Sequence, residues 1–342
     1  MNEKNPQKQK TPQIKSPRMK RTASLFSQIV DYENLRLAWL KARKGKTSKK
    51  SVQNFSRNVN KNLQIIHDRM IASPPVLSKY IQFKIYDPKE RIISVVPFPD
   101  RVMHHAIMNV LEPVFERQFI FHTYACRKGK GTHAAVRYAF KCAKNSPYFL
   151  KLDVRKYFDS IDHTVLKQFL CRIIKDARCL ELLFGVIDSY KIDFESDAAG
   201  RKKGLPIGNL TSQFFANFYL SALDHFILEK LKPKGYVRYM DDMVIFDDSI
   251  KELKTIFDEV ERFCLEKLTL FLKVPVFGKT VRGVPFLGWR ITKDRIFLLS
   301  KTKRRMKSRL KEIQKAFERG KITEEKAVER TKAVFAARKL IN

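Results

Sequence analysis

The chain's 342 residues suffice for about two domain-sized units with a substantial core, and a hydrophobic content of 44% excludes a disordered protein. A formal net charge of +34 and a pI near 10.0 would drive a compact molecule apart unless a polyanion neutralises it, so nucleic acid is the expected partner. No apolar run approaches the ~18 residues of a membrane span, and the polar, Lys-rich start lacks the apolar stretch of a secretory signal.

Residues 1–24, rich in Lys, Gln, Pro, Asn and Ser, read as a basic disordered tail, because they bury too little surface to offset the entropy of ordering. A helix is predicted around Leu35–Leu40, followed by a charged loop from Lys41 to Lys50. The spacing of Val52, Phe55, Val59, Leu63, Ile66 and Met70 predicts one amphipathic helix, ended by Pro74-Pro75. Tyr80–Tyr86 and Arg91–Pro97 read as an antiparallel hairpin, and a helix follows with Asp100 as its N-cap. Tyr124–His133 is a Gly-containing basic loop opening a helix, a place where backbone amides suit phosphate.

Tyr148–Val154 is the strongest strand, apolar enough to be buried on both faces. Beyond Asp162 an amphipathic helix carries Val165, Leu166, Phe169, Leu170, Ile173 and Ile174. Lys191–Lys203 reads as a loop, and after Gly204–Asn209 a helix carries Phe214, Phe215, Phe218, Tyr219, Leu223, Phe226 and Ile227. Tyr236–Phe246 is predicted as strand, tight turn, strand, with Asp241 and Asp242 at its tip. A helix through Leu253, Ile256, Val260 and Phe263 is then followed by strands near Leu268–Leu272 and Gly283–Ile291. The end of the chain is two basic helices, the first with one narrow apolar stripe of Met306, Leu310, Ile313 and Phe317 and a stop at Gly320, the second from Thr323 to Leu340.

The chemistry concentrates on carboxylates. Asp241 and Asp242, forced together at a turn, repel each other unless a cation lies between them. Asp153, at the end of a strand that can lie beside that hairpin, supplies a third; three such groups could hold two Mg²⁺ ions about 4 Å apart, the arrangement for phosphoryl transfer to a 3′-hydroxyl. The cysteines, Cys126, Cys142, Cys171, Cys179 and Cys264, are odd in number with no C-x-x-C pair. Together with seven histidines lacking ligand spacing, they predict neither disulfides nor zinc but reduced thiols, as in a cytoplasm.

Several blocks in a fixed order resemble the reverse transcriptases. Asp153–Asp159 looks like their first palm motif, Gly204–Gln213 like the nucleotide-binding motif, Tyr239-Met240-Asp241-Asp242 like the catalytic box, and Phe286-Leu287-Gly288-Trp289 like the primer-grip turn. Upstream, Arg91 and Arg101 bracket a segment similar to the fingers motif of the bacterial enzymes, and Tyr124–His133 resembles their second block. The resemblance implies an α+β, right-hand polymerase with an antiparallel palm sheet: fingers over 25–145, palm over 146–292 and a helical thumb over 293–342.

Residue by residue, it implies that Asp153, Asp241 and Asp242 are catalytic and hold two Mg²⁺, or Mn²⁺, with the Val154 carbonyl. Arg91, Arg101, Tyr157, Phe158, Ile207, Gly208 and Gln213 would meet the nucleotide, Phe158 as a steric gate against the ribose 2′-hydroxyl. Lys273 or Lys279 would protonate the leaving pyrophosphate. Where most reverse transcriptases have Gln-Gly, three residues, then Ser-Pro, this chain has Ile207-Gly208 and Ser212-Gln213. That departure resembles the enzymes of diversity-generating retroelements, which copy a template-repeat RNA with errors opposite adenine. Partners implied are template RNA, the RNA/cDNA heteroduplex, deoxynucleotides and a small oligomeric accessory protein, with one copy of this chain per complex. About 50 residues after the palm leave room for a compact thumb only, which also fits the retron enzymes; these carry the Gln-Gly form and, with group II intron enzymes, form the alternative. The reading from another class is a catalytically inactive RNA-binding scaffold.

Overall fold

A computed structural model describes residues 24–86, 90–190 and 200–336. The predicted tail, the turn of the first hairpin and most of the loop before Gly204 fall on 1–23, 87–89 and 191–199, outside the described residues.

Helices α1 (Leu25–Val30) and α2 (Tyr32–Arg43) meet at Asp31, whose carboxylate accepts from Asn34 N, while Asp176 accepts from Leu25 N and Phe26 N at 2.7 and 2.8 Å. The single helix predicted over Val52–Met70 is two, α3 (Lys50–Arg57) and α4 (Val59–Ile71), broken at Asn58. Asn62 Nδ2 donates to the Phe55 carbonyl freed by the break, at 2.8 Å. Val52, Phe55, Leu63, Ile66 and Met70 are nonetheless all buried, because a one-residue break returns both stripes to the same core.

Strands β1 (Ile81–Tyr86) and β2 (Glu90–Val95) pair antiparallel from Ile81↔Val95 to Tyr86↔Glu90, and β1 is exposed along its length. Helix α5 (Phe98–Glu116) starts after Pro97, not at Asp100. Asp100 lies buried in its first turn, accepting from Ser78 N and Oγ at 2.7 and 2.9 Å and from Arg69 NH2 at 2.7 Å, so it ties α4 and the base of the hairpin to α5. Helix α6 (Thr132–Asn145) follows Gly131, whose φ of 107° only glycine adopts readily.

The central sheet joins β3 (Tyr148–Leu152), β4 (Gly235–Tyr239), β5 (Asp242–Asp247) and β6 (Val276–Lys279) in the order β4-β5-β3-β6, every pair antiparallel. Strand β3 is interior and alternates between two cores. Leu150 and Leu152, with Tyr236, Met243 and Ile245, face the larger core under the helices; Phe149, Val237, Val244 and Phe246 face α6 and the hairpin that ends the sheet region. Burial on both faces is why β3 reads as a nearly unbroken apolar run. After the short α7 (Tyr157–Ser160) come α8 (His163–Ile173), capped by Asp162, α9 (Ala177–Asp188), α10 (Leu210–Tyr219), α11 (Ser221–Phe226) and α12 (Ile250–Leu268).

The strand predicted at Leu268–Leu272 does not form. Helix α12 runs to Leu268, Thr269 closes it with φ 54°, and only Leu272 bridges to Val154. Leu268, Leu270 and Leu272 are buried with the alternation the sequence shows, but as the plug of a helix end; the sheet pairing belongs to β6. Strands β7 (Val284–Phe286), β8 (Trp289–Ile291) and β9 (Ile296–Leu298) make a small sheet, β9 having no forecast in the sequence reading. Helices α13 (Ser300–Glu318) and α14 (Glu324–Ala336) pack on each other and bury no residue fully, with Gly320 at φ 64° between them. The predicted end of the last helix lies beyond the described residues. Among the described residues no helix is long and apolar enough to cross a membrane.

Candidate active site

Strands β4 and β5 close at the pair Tyr239↔Asp242, leaving Met240 and Asp241 as the turn. Met240 takes φ 54°, the left-handed region, which disfavours a non-glycine residue by about 1–2 kcal/mol. Leu152 pairs with Met243, so the next residue along β3, Asp153, falls opposite Asp242. By the two-residue alternation of strands, Lys151, Asp153 and Asp242 lie on the same side of the sheet, toward α6 and β7–β8.

Burial, and then the charge of Asp153, push the Asp241 carboxyl up to about 6. Burial also pushes Asp242 to about 6, against the opposing pull of Lys151. Lys151 Nζ lies 3.1 Å from Asp242 Oδ1, hydrogen-bonds Oδ2 at 3.3 Å and donates to the Pro285 carbonyl at 2.9 Å. Asp242 Oδ1 is buried without a hydrogen bond. Lys273 Nζ reaches Asp153 Oδ1 at 2.7 Å, and Lys273 N donates to the Asp153 carbonyl at 2.8 Å. The bonds of the Val154–Leu272 bridge, Arg155 N to Phe271 O and Lys273 N to Asp153 O, leave the carbonyl of Val154 itself outside the pairing.

Among the described residues no three His, Cys, Asp or Glu side chains stand close enough together to enclose a metal as they are. Lysines lie on two of the three aspartates instead. The donor chemistry still fits a hard divalent cation: carboxylate oxygens at adjoining strand ends, two of the carboxyls raised toward 6 mainly by burial.

The segment Gly204–Asn209 bridges the two sides of the site. Leu205 N donates to Phe158 O and Gly204 N to Ile161 O, both at 2.8 Å; on the other side Ser94 N donates to Ile207 O at 3.2 Å. Gly208, at φ 118°, sits so close to β2 that a Cβ would meet Ile93 Cγ2 at 3.1 Å. Tyr157 is buried with its hydroxyl donating to the Ala216 carbonyl, which makes it a support of the pocket; partly buried Phe158 packs edge-on against it at 5.9 Å. Exposed Gln213 has its Oε1 3.6 Å from Cys126 Sγ, which joins α10 to the loop before α6. Arg101, in the first turn of α5, neighbours Lys46, His104 and His105, whose pKa values are lowered first by burial and to a smaller extent by the Arg101 charge. The backbone of Arg91 pairs with Ile85; its side chain lies outside the described atoms.

Phe286 and Trp289 are buried and pair across a turn in which Leu287 and Gly288 have φ 49° and 87°. The Lys151–Pro285 bond sets this hairpin beside Asp242, and Thr302 Oγ1 and Leu299 N, both donating to the Gly288 carbonyl, tie it to α13. Of the two lysines the sequence offered, Lys273 reaches the aspartates. Lys279 pairs with Tyr148 at the far end of β3, about 16 Å away along the strand. Sequence reasoning missed Lys151 and Arg238. Their signal is a cation at an inward position of an otherwise apolar strand, and both are held by carboxylates, Asp242 and Asp224.

The fold is similar to that of telomerase from Candida tropicalis: the structure of the apo form lacking its C-terminal domain superposes with TM-score 0.51 at 15% identity, over 66% of this chain and 56% of that one. The same telomerase in complex with a fragment of telomeric RNA gives TM-score 0.51 at 13% identity, over 76% and 53%. In sequence the chain is 24% identical to protein YkfC of Escherichia coli over 68% of its length and 72% of the relative's. It is 28% identical to the group II intron-encoded protein LtrA of Lactococcus lactis over 52% of its length but only 29% of LtrA. The chain thus spans a part only of LtrA and about half of the telomerase chains. The family model for reverse transcriptase (RNA-dependent DNA polymerase) matches residues 85–291, more than half of the chain, which therefore belongs to the reverse transcriptase family.

Proposed function

We propose that this chain is an RNA-directed DNA polymerase that extends a primer on an RNA template. The observation that carries this is the convergence of Asp153, Asp241 and Asp242 at adjoining strand ends, two of the carboxyls raised mainly by burial, flanked by the Gly204–Gln213 segment on one side and the Phe286–Trp289 hairpin on the other. Two Mg²⁺, with Mn²⁺ as a substitute, would be held by the three aspartates and the Val154 carbonyl, and would supply the charge neutralisation that phosphoryl transfer needs.

The chain's own residues do the rest. Arg91 and Arg101 meet triphosphate oxygens, Phe158 closes the space of a ribose 2′-hydroxyl, and the Phe286–Trp289 turn steadies the primer end. Lys273 donates a proton to the departing pyrophosphate, moving off Asp153 to do so. The charge of +34 and the basic α13 and α14 suit a nucleic-acid backbone. Primer extension on an RNA template with Mg²⁺ tests the reading: wild type incorporates deoxynucleotides and Asp241→Ala does not, whereas equal incorporation by both refutes the aspartate site as its source, and none by wild type refutes the reading and favours an RNA-binding scaffold.

A finer reading rests on Ile207 and Gln213. Ile207 offers the incoming nucleotide apolar contact only, so base-pair geometry is checked less strictly than by a hydrogen-bonding Gln. This supports copying of a template-repeat RNA into adenine-mutagenised cDNA; a cytoplasmic setting and a small accessory protein belong to the same reading through the resemblance alone. Group II intron-like or retron-like copying at ordinary fidelity is the competitor. Sequencing cDNA made from a defined RNA separates them: errors concentrated opposite template adenines support the mutagenic reading, and a flat spectrum supports its competitor.

A further inference from the structure

Arg238 lies in β4, two residues before the turn, with its side chain wholly buried on the face of the sheet opposite Asp242. A guanidinium taken out of water must satisfy its N–H groups within the protein. Nε donates to Asp224 Oδ1 at 2.7 Å and NH2 to Asp224 Oδ2 at 2.5 Å; NH1 donates to Asn217 Oδ1 at 2.9 Å, and NH2 also to the Asn217 carbonyl at 3.1 Å. Asp224 accepts further bonds from Tyr236 Oη at 2.7 Å and Thr123 Oγ1 at 3.1 Å, and Asn217 Nδ2 donates to Ala125 O at 3.0 Å. All of these residues are buried.

One bond leaves this cluster. NH1 also donates to the carbonyl of Met240, at 3.0 Å. That carbonyl belongs to the peptide joining Met240 to Asp241, and Met240 is the turn residue held at φ 54°. A side chain other than glycine drifts back from that region unless something fixes its peptide. Asn217 stands on α10, one turn beyond Gln213, so the same guanidinium connects the aspartate turn to the helix that follows Gly204–Asn209. An ion pair buried for stability alone has no need of these last contacts, since an apolar pair of similar volume often serves as well.

We propose that Arg238, braced by Asp224 and Asn217, is a positioning residue that fixes the Met240–Asp241 peptide and thereby the placement of Asp241 and Asp242 relative to α10. The role rests on the polymerase reading. Arg238→Lys keeps a cation for Asp224, but one ammonium cannot span Asp224, Asn217 and the Met240 carbonyl together. Thr123→Val and Tyr236→Phe each remove one bond to Asp224 and leave the Met240 bond alone, so they report loosening of the cluster without loss of the turn contact.

The experiment is single-nucleotide extension of a primed RNA, with Mg²⁺ titrated, at temperatures where circular dichroism shows each variant folded. Arg238→Lys is expected to lower kcat by about 10–100-fold, the scale of a small misplacement of reacting groups, with a higher Mg²⁺ requirement. Its KM for deoxynucleotide should stay within about 3-fold of wild type. Asn217→Ala should show the same split in milder form and carries the test if Arg238→Lys does not fold. Thr123→Val and Tyr236→Phe should melt earlier yet keep kcat and Mg²⁺ dependence. Unchanged kcat and Mg²⁺ dependence in Arg238→Lys and Asn217→Ala overturn the proposal, as does an equal loss in the two control variants. If neither Arg238→Lys nor Asn217→Ala folds, the cluster is a determinant of the fold and the positioning role falls. Failure of wild type itself to extend the primer is a different result, which refutes the polymerase reading beneath it.

Discussion

Removing one negative charge from the aspartate turn should make the metal-free protein more stable. The Asp241 carboxyl is raised from 3.8 to about 6 by burial and by the charges of Asp153 and Asp242, with Lys273 opposing. A raised carboxyl pKa means that ionisation costs more in the folded chain than in the unfolded one. The cost is absent below about pH 4, grows between about pH 4 and 6, and is complete above pH 6. From 3.8 to about 6, it amounts to at most about 3 kcal/mol. Asp241→Asn keeps the shape and removes the charge. In chelator at pH 8 it should melt about 4 °C above wild type, an advantage that vanishes near pH 4. Adding Mg²⁺ should raise the wild-type melting temperature and narrow the gap, since a ligand of the folded state stabilises it by mass action. Thermal melts by circular dichroism across pH, with and without Mg²⁺, decide the matter. A variant that melts at or below wild type at pH 8 in chelator would show that the turn is not short of positive charge, and the electrostatic case for a metal there would fail.

Three further outcomes follow from the geometry. Lys273→Met should slow single-turnover incorporation by about 100-fold, the scale of a lost proton donor, while Lys279→Met should leave it unchanged; equal effects would remove Lys273 from the site. Phe158→Ala should raise the ratio of ribonucleotide to deoxynucleotide incorporation by about 10-fold or more, measured by competition, and an unchanged ratio makes Phe158 a packing residue only. Gly208→Ala forces a Cβ within 3.1 Å of Ile93 at φ 118°, so it should cost about 1–3 kcal/mol of stability and raise the KM for deoxynucleotide as β2 is displaced; a wild-type KM would separate the hairpin from the nucleotide pocket.

Much of this molecule is local chemistry that a sequence states outright. The apolar, strand-forming runs on either side of Asp241-Asp242, the nearly unbroken apolar run before Asp153 and the glycine before α6 each need only their neighbours in the chain. Periodicity located most of the longer helices as well, α9 excepted, and it erred where two local readings are degenerate. A stripe of 3.6-residue spacing does not reveal a one-residue break at Asn58, and the alternation of Leu268, Leu270 and Leu272 suits a buried plug as well as a strand.

What tertiary structure alone decided is which charges meet. Lys151 joins Asp242 across 91 residues of chain, Lys273 reaches Asp153 across 120, and Arg238 is drawn to Asp224 because neither can be buried without the other. The three aspartates and the order of motifs are written in the sequence, since order survives without folding. The cations that hold those aspartates, and the guanidinium beneath their turn, depend on strand pairing and burial. Those set the cost of an unpaired charge, and only the folded chain establishes them.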